Sequence, residues 1–230
     1  ASLTTEPSVG SFYSVTYTYN KSDFDTQVFT KLSLVEAAYG TKSLLNPVSL
    51  AGYLSFLNGA VVVAIKQVQK DTDSNNDSVL DAASEAAYIT AIDDVEGPMP
   101  GGAYPDMLVP LKSDSLNLFQ YLARHCDIQS SIRYRAERTA ICGLAAGTSG
   151  AEAGETAEAI ERTRLRLVYP DIYTITLTSF DGVSESSLVD GGYMAAAVAG
   201  NRARPSIDVA TPWTGGRIVG FDKVSRELDA

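Results

Sequence analysis

No arginine occurs before position 124. Residues 1–123 carry six lysines and fourteen carboxylates for a net −8, whereas residues 124–230 carry eleven arginines, one lysine and fourteen carboxylates for a net −2. The total of −10 opposes binding to a phosphate backbone, which needs a basic face to displace counterions, so nucleic acid is not an expected partner. Histidine is nearly missing too. His125 is the single example, so any histidine-based triad or metal site must use it. It falls inside the helical stretch LARHCDI, where a packed or half-exposed side chain is the ordinary outcome. The two cysteines, Cys126 and Cys142, fit neither a dense disulfide scaffold nor a CxxC metal knuckle and are expected to be buried thiols. The longest strongly apolar run, AVVVAI at 60–65, is far short of the roughly 20 residues that span a bilayer. The opening ASLTTEPSVG has no basic flank, apolar stretch or initiating Met. It reads as a trimmed end rather than a signal peptide.

What is present suits one large globular domain, or one domain with a small satellite: 230 residues, 45% hydrophobic and 20% charged. SFYSVTYTY at 11–19 alternates Tyr13, Val15, Tyr17 and Tyr19 against Ser14, Thr16 and Thr18, a period of two that predicts a strand. TQVFTKLSLV at 26–35 is its expected hairpin partner across the turn NKSDFD. These residues, 1–35, form an N-terminal β-hairpin segment ahead of a domain over 36–230. NPVSLAGYLSFLNG predicts a helix capped by Asn46, with Pro47 in its first turn and Gly59 at its close; AVVVAIKQV then predicts a buried strand. Ser84 should cap a helix through SEAAYITAIDDV, and DMLVPL at 106–111 should be a short strand. SDSLNLFQYLARHCDIQSS places Leu116, Phe119, Leu122 and Ala123 on one helical face. ERTAICGLA reads as a strand, EAGETAEAIERTR as a helix, RLRLVYP and IYTITLT as strands, and residues 188–200 as a last helix. Helices alternating with strands imply an α/β domain with a mainly parallel or mixed sheet flanked by helices.

Four places tempt a chemical reading. The loop and helix in ICGLAAGTSGAEAGETAEAI could cradle phosphate on backbone amides, but Gly143, Gly147, Gly150 and Gly154 fit neither GxGxxG nor the Walker pattern. Glu152 and Glu155 also stand where phosphate charge would sit. Ser149 in GTSGA fails the nucleophile-elbow pattern because position 151 is Ala151. DTDSNNDSVLDA at 71–82 alternates oxygen donors like a calcium loop, yet has Asn76 at the glycine position and Ala82 where a bidentate Glu belongs. Asp93 and Asp94 read as surface charges. No cofactor, metal or catalytic constellation is expected. The remaining feature is GGYMAAAVAGNRARPSIDVATPWTGGRIVG at 191–220: Ala195, Ala196, Ala197 and Ala199 allow close backbone approach, with Gly200 as cap. Arg202, Arg204 and Trp213 beyond it, like Arg133 and Arg135, are the residue types enriched at interface hot spots.

The order of these segments resembles the contractile tail sheath proteins of phages, most closely a giant-phage member. FLNGAVVVAIKQV resembles the family's early helix, Asn-Gly turn and valine-rich strand, followed by AAYITAID and DMLVPL. CDIQSSIRYRAERTAICGL is similar to its arginine-rich lead into a central strand, and LRLVYPDI to its strand ending in Tyr-Pro. MAAAVAG with TPWTGGRIVGFDKV is similar to its small-residue helix, proline loop and closing Gly-Val segment. The resemblance covers about residues 30–225 and makes 36–230 a sheath domain. It implies a virion structural subunit, assembled in the host cytoplasm, whose partners are other sheath subunits and the tail tube protein. Such a subunit has no enzymatic activity and works by rigid-body rearrangement during contraction. The family continues into a C-terminal region after the point where this sequence ends. That implies the outer portion of a longer subunit, monomeric by itself. Two competing expectations stand beside this one: a nucleotide-binding or hydrolytic α/β enzyme using the 143–155 loop, and a monomeric adhesion or decoration module.

Overall fold

The computed structural model describes residues 25–68, 84–111, 113, 115–178, 182, 184–204 and 217–224. Strand β1 (Gln27–Phe29) leads into helix α1 (Leu32–Tyr39), α2 (Pro47–Leu57) and strand β2 (Val63–Ile65). Then come α3 (Glu85–Asp93), β3 (Met107–Leu108), α4 (Leu116–Gln129), β4 (Thr139–Gly143), α5 (Gly150–Ile160) and β5 (Leu165–Val168). Strands β6 (Ile172–Thr178) and β7 (Ser184–Asp190), helix α6 (Gly191–Arg202) and strand β8 (Lys223–Val224) complete the order. Five of the six helices among the described residues begin at a side chain that accepts a backbone N–H: Asn46, Ser84, Ser115, Ser149 and Asp190. These caps satisfy amides that have no partner inside the helix, which is why the boundaries fall where they do.

Two consecutive βαβ units build a parallel sheet in the order β3-β4-β5, with α4 and α5 as the crossovers. Central strand β4 buries Ala140, Ile141, Cys142 and Gly143, as expected of a parallel strand covered on both faces. On one face Leu118, Phe119, Leu122, Ala123 and Cys126 of α4 join Ile92, Ile160 and Leu165 in a single core. A second core gathers Leu50 and Leu54 of α2, Tyr193, Ala196 and Ala197 of α6, and Tyr173, Ile175 and Val189 of an antiparallel sheet ordered β7-β6-β8. Helix α6 connects the two cores. It can do so because Gly143, Gly191 and Gly200 lack a Cβ at its closest contacts: a Cβ on Gly143 would lie 1.9 Å from the Gly191 carbonyl carbon, and one on Gly200 would lie 2.2 Å from the Ser55 carbonyl oxygen.

The α/β class with helices flanking mixed parallel and antiparallel sheets is the architecture observed. An N-terminal antiparallel strand pair is present, but its members are β1 and β2. The expected partner strand at 11–19 lies outside the described residues. Position 35, drawn as the end of the hairpin segment, falls inside α1. There Leu32 and Val35 take helical spacing and Val35 is fully buried against Gly52, so the stretch from Leu32 is not strand. The valine-rich segment at 60–68 is also less than a buried strand. Only three residues pair, and Val61 and Val62 are 51% and 49% exposed.

Residues 188–190 belong to β7 rather than to the last helix. Polar SESSLVD pairs with β6 along seven residues, held by the ladder despite its serines. Gly200 is accordingly inside α6, used for close approach, and Ala203 is the cap. On α4 the buried residue of the first turn is Leu118, while Leu116 is exposed.

Candidate functional site

The glycine loop closes on itself. Ser149 and Glu152 form a reciprocal capping box: the Ser149 Oγ accepts from the Glu152 amide at 3.2 Å, and the Glu152 carboxylate accepts from the Ser149 amide at 2.7 Å. The Gly147 amide donates to the buried Asp171 carboxylate. Gly143 is consumed by the crossing with α6. The Gly147 and Ser149 amides therefore already carry internal carboxylates, and the Ser149 hydroxyl serves as a cap with no histidine beside it.

The histidine lies elsewhere, in a buried cluster. Arg138, 1% exposed, enters from the start of β4 and donates through Nη1 to the Val95 carbonyl at 3.0 Å and to His125 Nε2 at 2.9 Å; Nη2 reaches the Glu96 carbonyl at 3.3 Å. A guanidinium has only donors, so Nε2 must be the acceptor and the neutral ring carries its proton on Nδ1. Burial, then the adjacent guanidinium, pull the His125 pKa down to about 4, against a smaller opposing pull from Asp93. Ligand atoms of Asp93, Glu96 and His125 lie within 4.8 Å of one another, which invites comparison with a two-carboxylate, one-histidine metal site. The proton inventory does not suit a cation. Nε2 is held by Arg138, Nδ1 carries hydrogen, Asp93 accepts the Tyr121 hydroxyl, and the fixed positive charge of Arg138 sits against the ring. Cys126, one residue along, has its thiol pushed up to about 12 chiefly by burial, and burial raises Cys142 further; both are free and unreactive by that measure.

Two shallow clefts accompany these groups. One of about 180 Å³ lies between Glu96, Tyr121, Arg124 and His125. Another of about 320 Å³ is lined mainly by apolar Leu44, Ile172, Leu188 and Tyr193. Neither brings a nucleophile, a base and an orienting group together.

The arginines singled out in the sequence separate into two kinds. Arg133 and Arg135 are exposed on the α4–β4 loop, where the Arg133 guanidinium lies 5.3 Å from the Tyr134 ring centroid. Arg202 and Arg204 are half-buried at the end of α6. Arg204 turns back to the Asn201 carbonyl at 3.2 Å, and its stem occupies the space a Cβ on Gly59 would need, 2.1 Å from Cγ. Trp213 lies outside the described residues, as does the 71–82 segment. Asp94 pairs with Lys66 at 2.7 Å, whereas Asp93 faces the His125 cluster. Arg138 was not singled out by sequence reasoning. Its signal was the chemistry of ERTAICG itself, where a charge directly precedes a fully apolar strand and must be buried with partners.

The exposed apolar side chains complete the inventory: Ile132 and Leu45 at 88%, Leu188 at 65%. No helix among the described residues is long and apolar enough to cross a membrane. No protein family matches the chain, and no curated protein is significantly similar to it.

Proposed function

We propose that this protein is a structural subunit of a contractile phage tail sheath, acting through surfaces that meet other copies of itself and the tail tube protein. The observation that carries the reading is the division of labour among its side chains. Among the described residues, His125, Cys126, Cys142, Ser149 and Asp171, which sequence chemistry would single out as reactive, are each buried or bonded into the scaffold. Large apolar and cationic groups, including Ile132, Arg133, Tyr134 and Arg135, instead face solvent. The order of segments described above supports the same assignment. So does a scaffold whose helices and sheets meet backbone to backbone at Gly143, Gly191 and Gly200, because such contacts resist shear and let the domain move as one piece.

A subunit of this kind contributes a heterologous contact, which repeats by rotation and translation into a helical sleeve instead of closing on itself. Contraction is then a rigid-body change from one set of contacts to another, driven by the difference in contact free energy set at assembly, with no nucleotide required. Localisation follows: assembly in the host cytoplasm and residence in the virion. The test is negative-stain electron microscopy of the full-length gene product expressed to high level. Hollow tubes of regular diameter support the reading, and uniformly discrete globular particles overturn it.

The enzyme alternative at 143–155 makes a separate forecast. A nucleotide that binds the folded state must raise its melting temperature by mass action. The carboxylates already on the Gly147 and Ser149 amides favour no shift.

A further inference from the structure

We infer that the loop joining α4 to β4 is a docking knuckle whose partner is the outward face of α5 on a second copy of this chain. This deepens the assembly reading above and rests on it for the existence of a second copy.

The knuckle is pre-shaped. The Ser131 carbonyl accepts from the amides of Tyr134 at 3.1 Å and Arg135 at 2.9 Å, and the Ala136 amide donates to the Gln129 carbonyl at 3.0 Å. Arg135 Nε donates to the Ile132 carbonyl at 3.3 Å, and the Ser130 hydroxyl accepts from the Arg138 amide at 3.0 Å. Beneath it, Arg138 ties the base of the loop to the turn after α3. Arg135 has φ 54°, a left-handed conformation that costs a non-glycine residue about 1–2 kcal/mol and persists only where its surroundings enforce it. Those bonds hold out Ile132, 88% exposed, and Tyr134 with Arg133 across its ring. An isoleucine, a tyrosine and two arginines on a rigid loop match the composition of binding hot spots, and the ordering cost is already met. Neither Arg133 nor Arg135 has a carboxylate at ion-pair distance among the described residues. Arg162 and Arg164 on the same molecule, by contrast, are matched by Asp127 at 3.2 Å and Glu137 at 2.6 Å.

Helix α5 offers the complementary face. Ala153 and Ile160 turn into the core, which leaves Glu152, Glu155 and Glu158 exposed at three-residue steps, with Ala151, Gly154, Ala157 and Ala159 exposed among them. Consecutive glutamates therefore stand about 4.5 Å apart along the axis, within the spread of two neighbouring guanidinium groups. Glu152 is engaged in its capping box, but Glu155 and Glu158 make no ion pair among the described residues. The small residues between them leave room for Ile132 and Tyr134 to approach. The loop and the face make no hydrogen bond or ion pair with each other. Both surfaces are therefore open to a second copy.

The experiment is a charge-swap series in the full-length protein, read by sedimentation velocity at low ionic strength, where charge pairs are least screened. R133E/R135E should weaken self-association roughly tenfold or more, and E155R/E158R should do the same. Mixing the two variants should restore association, since each knuckle then meets an opposite face; so should combining all four changes in one chain. A wild-type protein that stays monomeric, or single variants that associate like wild type, overturns the inference. Loss without rescue in both the mixture and the combined chain overturns it too. The same samples viewed by electron microscopy keep the two readings apart. Rescue without tubes removes the sheath reading and keeps this contact, whereas tubes indifferent to the swaps remove this contact and keep the sheath.

Discussion

Replacing Gly200 with alanine should force α2 and α6 apart, even though alanine is the better helix former. The added Cβ would lie 2.2 Å from the Ser55 carbonyl oxygen, 2.7 Å from its Cα and 2.8 Å from its carbonyl carbon. A carbon–oxygen contact needs about 3.3 Å, so the helices must separate by about 1 Å. All three obstructing atoms are backbone, so no side-chain rotation relieves the clash. A gap of that size forfeits a quarter to a half of the dispersion energy along the crossing. It also breaks the bond from the Ser55 hydroxyl to the Ala196 carbonyl, 3.1 Å long, at about 1 kcal/mol. With overpacking strain of about 1–3 kcal/mol, the gross loss is about 2–4 kcal/mol, offset by about 1 kcal/mol of helix propensity. The net loss of about 1–3 kcal/mol should lower Tm by about 2–12 °C for a chain of this size. Gly154→Ala in α5 is the matched control: nothing lies within 4 Å of its added Cβ. It should stabilise by up to about 1 kcal/mol. Thermal and urea unfolding of the two variants side by side should give opposite signs. Equal stabilisation by both would refute the close-approach argument.

Three further outcomes are expected. The His125 pKa is depressed in the folded state, so below pH 6.5 the unfolded chain takes up a proton that the folded chain refuses; stability should fall as pH drops from 6.5 toward 5, and His125→Gln should flatten that part of a urea-unfolding profile. Arg138→Met leaves the Val95 and Glu96 carbonyls without their donor and should cost about 2–4 kcal/mol by denaturant titration. Asn58 holds the returning chain with Nδ2 on the Leu54 and Val219 carbonyls at 2.8 and 3.0 Å and Oδ1 on the Val219 amide at 2.9 Å. Asn58→Ala should speed hydrogen exchange across 218–224 while leaving β4 protected.

Where backbone chemistry and periodicity coincided, the sequence was readable. Asn46 with Pro47, and Ser84 before EAAYITAID, announced helix starts that the structure places at those residues. The apolar ERTAICGLA announced the central strand. Misreadings arose where tertiary contacts outweighed local pattern. SESSLVD has little strand propensity and becomes β7 because β6 supplies a full ladder. Gly200 looked like a helix end because a glycine before Asn and Arg usually is one; only the position of Ser55 across the crossing shows why a glycine is needed mid-helix. The arginine excess in the second half was visible, but its division was not. Arg133 and Arg135 project while Arg138 is locked inside, and that depends on a left-handed turn and a buried histidine that composition does not encode. The His125 cluster illustrates the same limit: three potential ligands assemble from α3, α4 and the turn after α3, yet the proton positions set by Arg138 decide against a metal.

The most direct test of the central claim is electron cryomicroscopy of assembled protein at a resolution that places this domain within its lattice. The account predicts a hollow helical tube in which the α/β domain repeats as a rigid unit, with residues 131–135 of one copy seated against α5 of another. A discrete particle with a small molecule bound among the amides of 143–155 would contradict it.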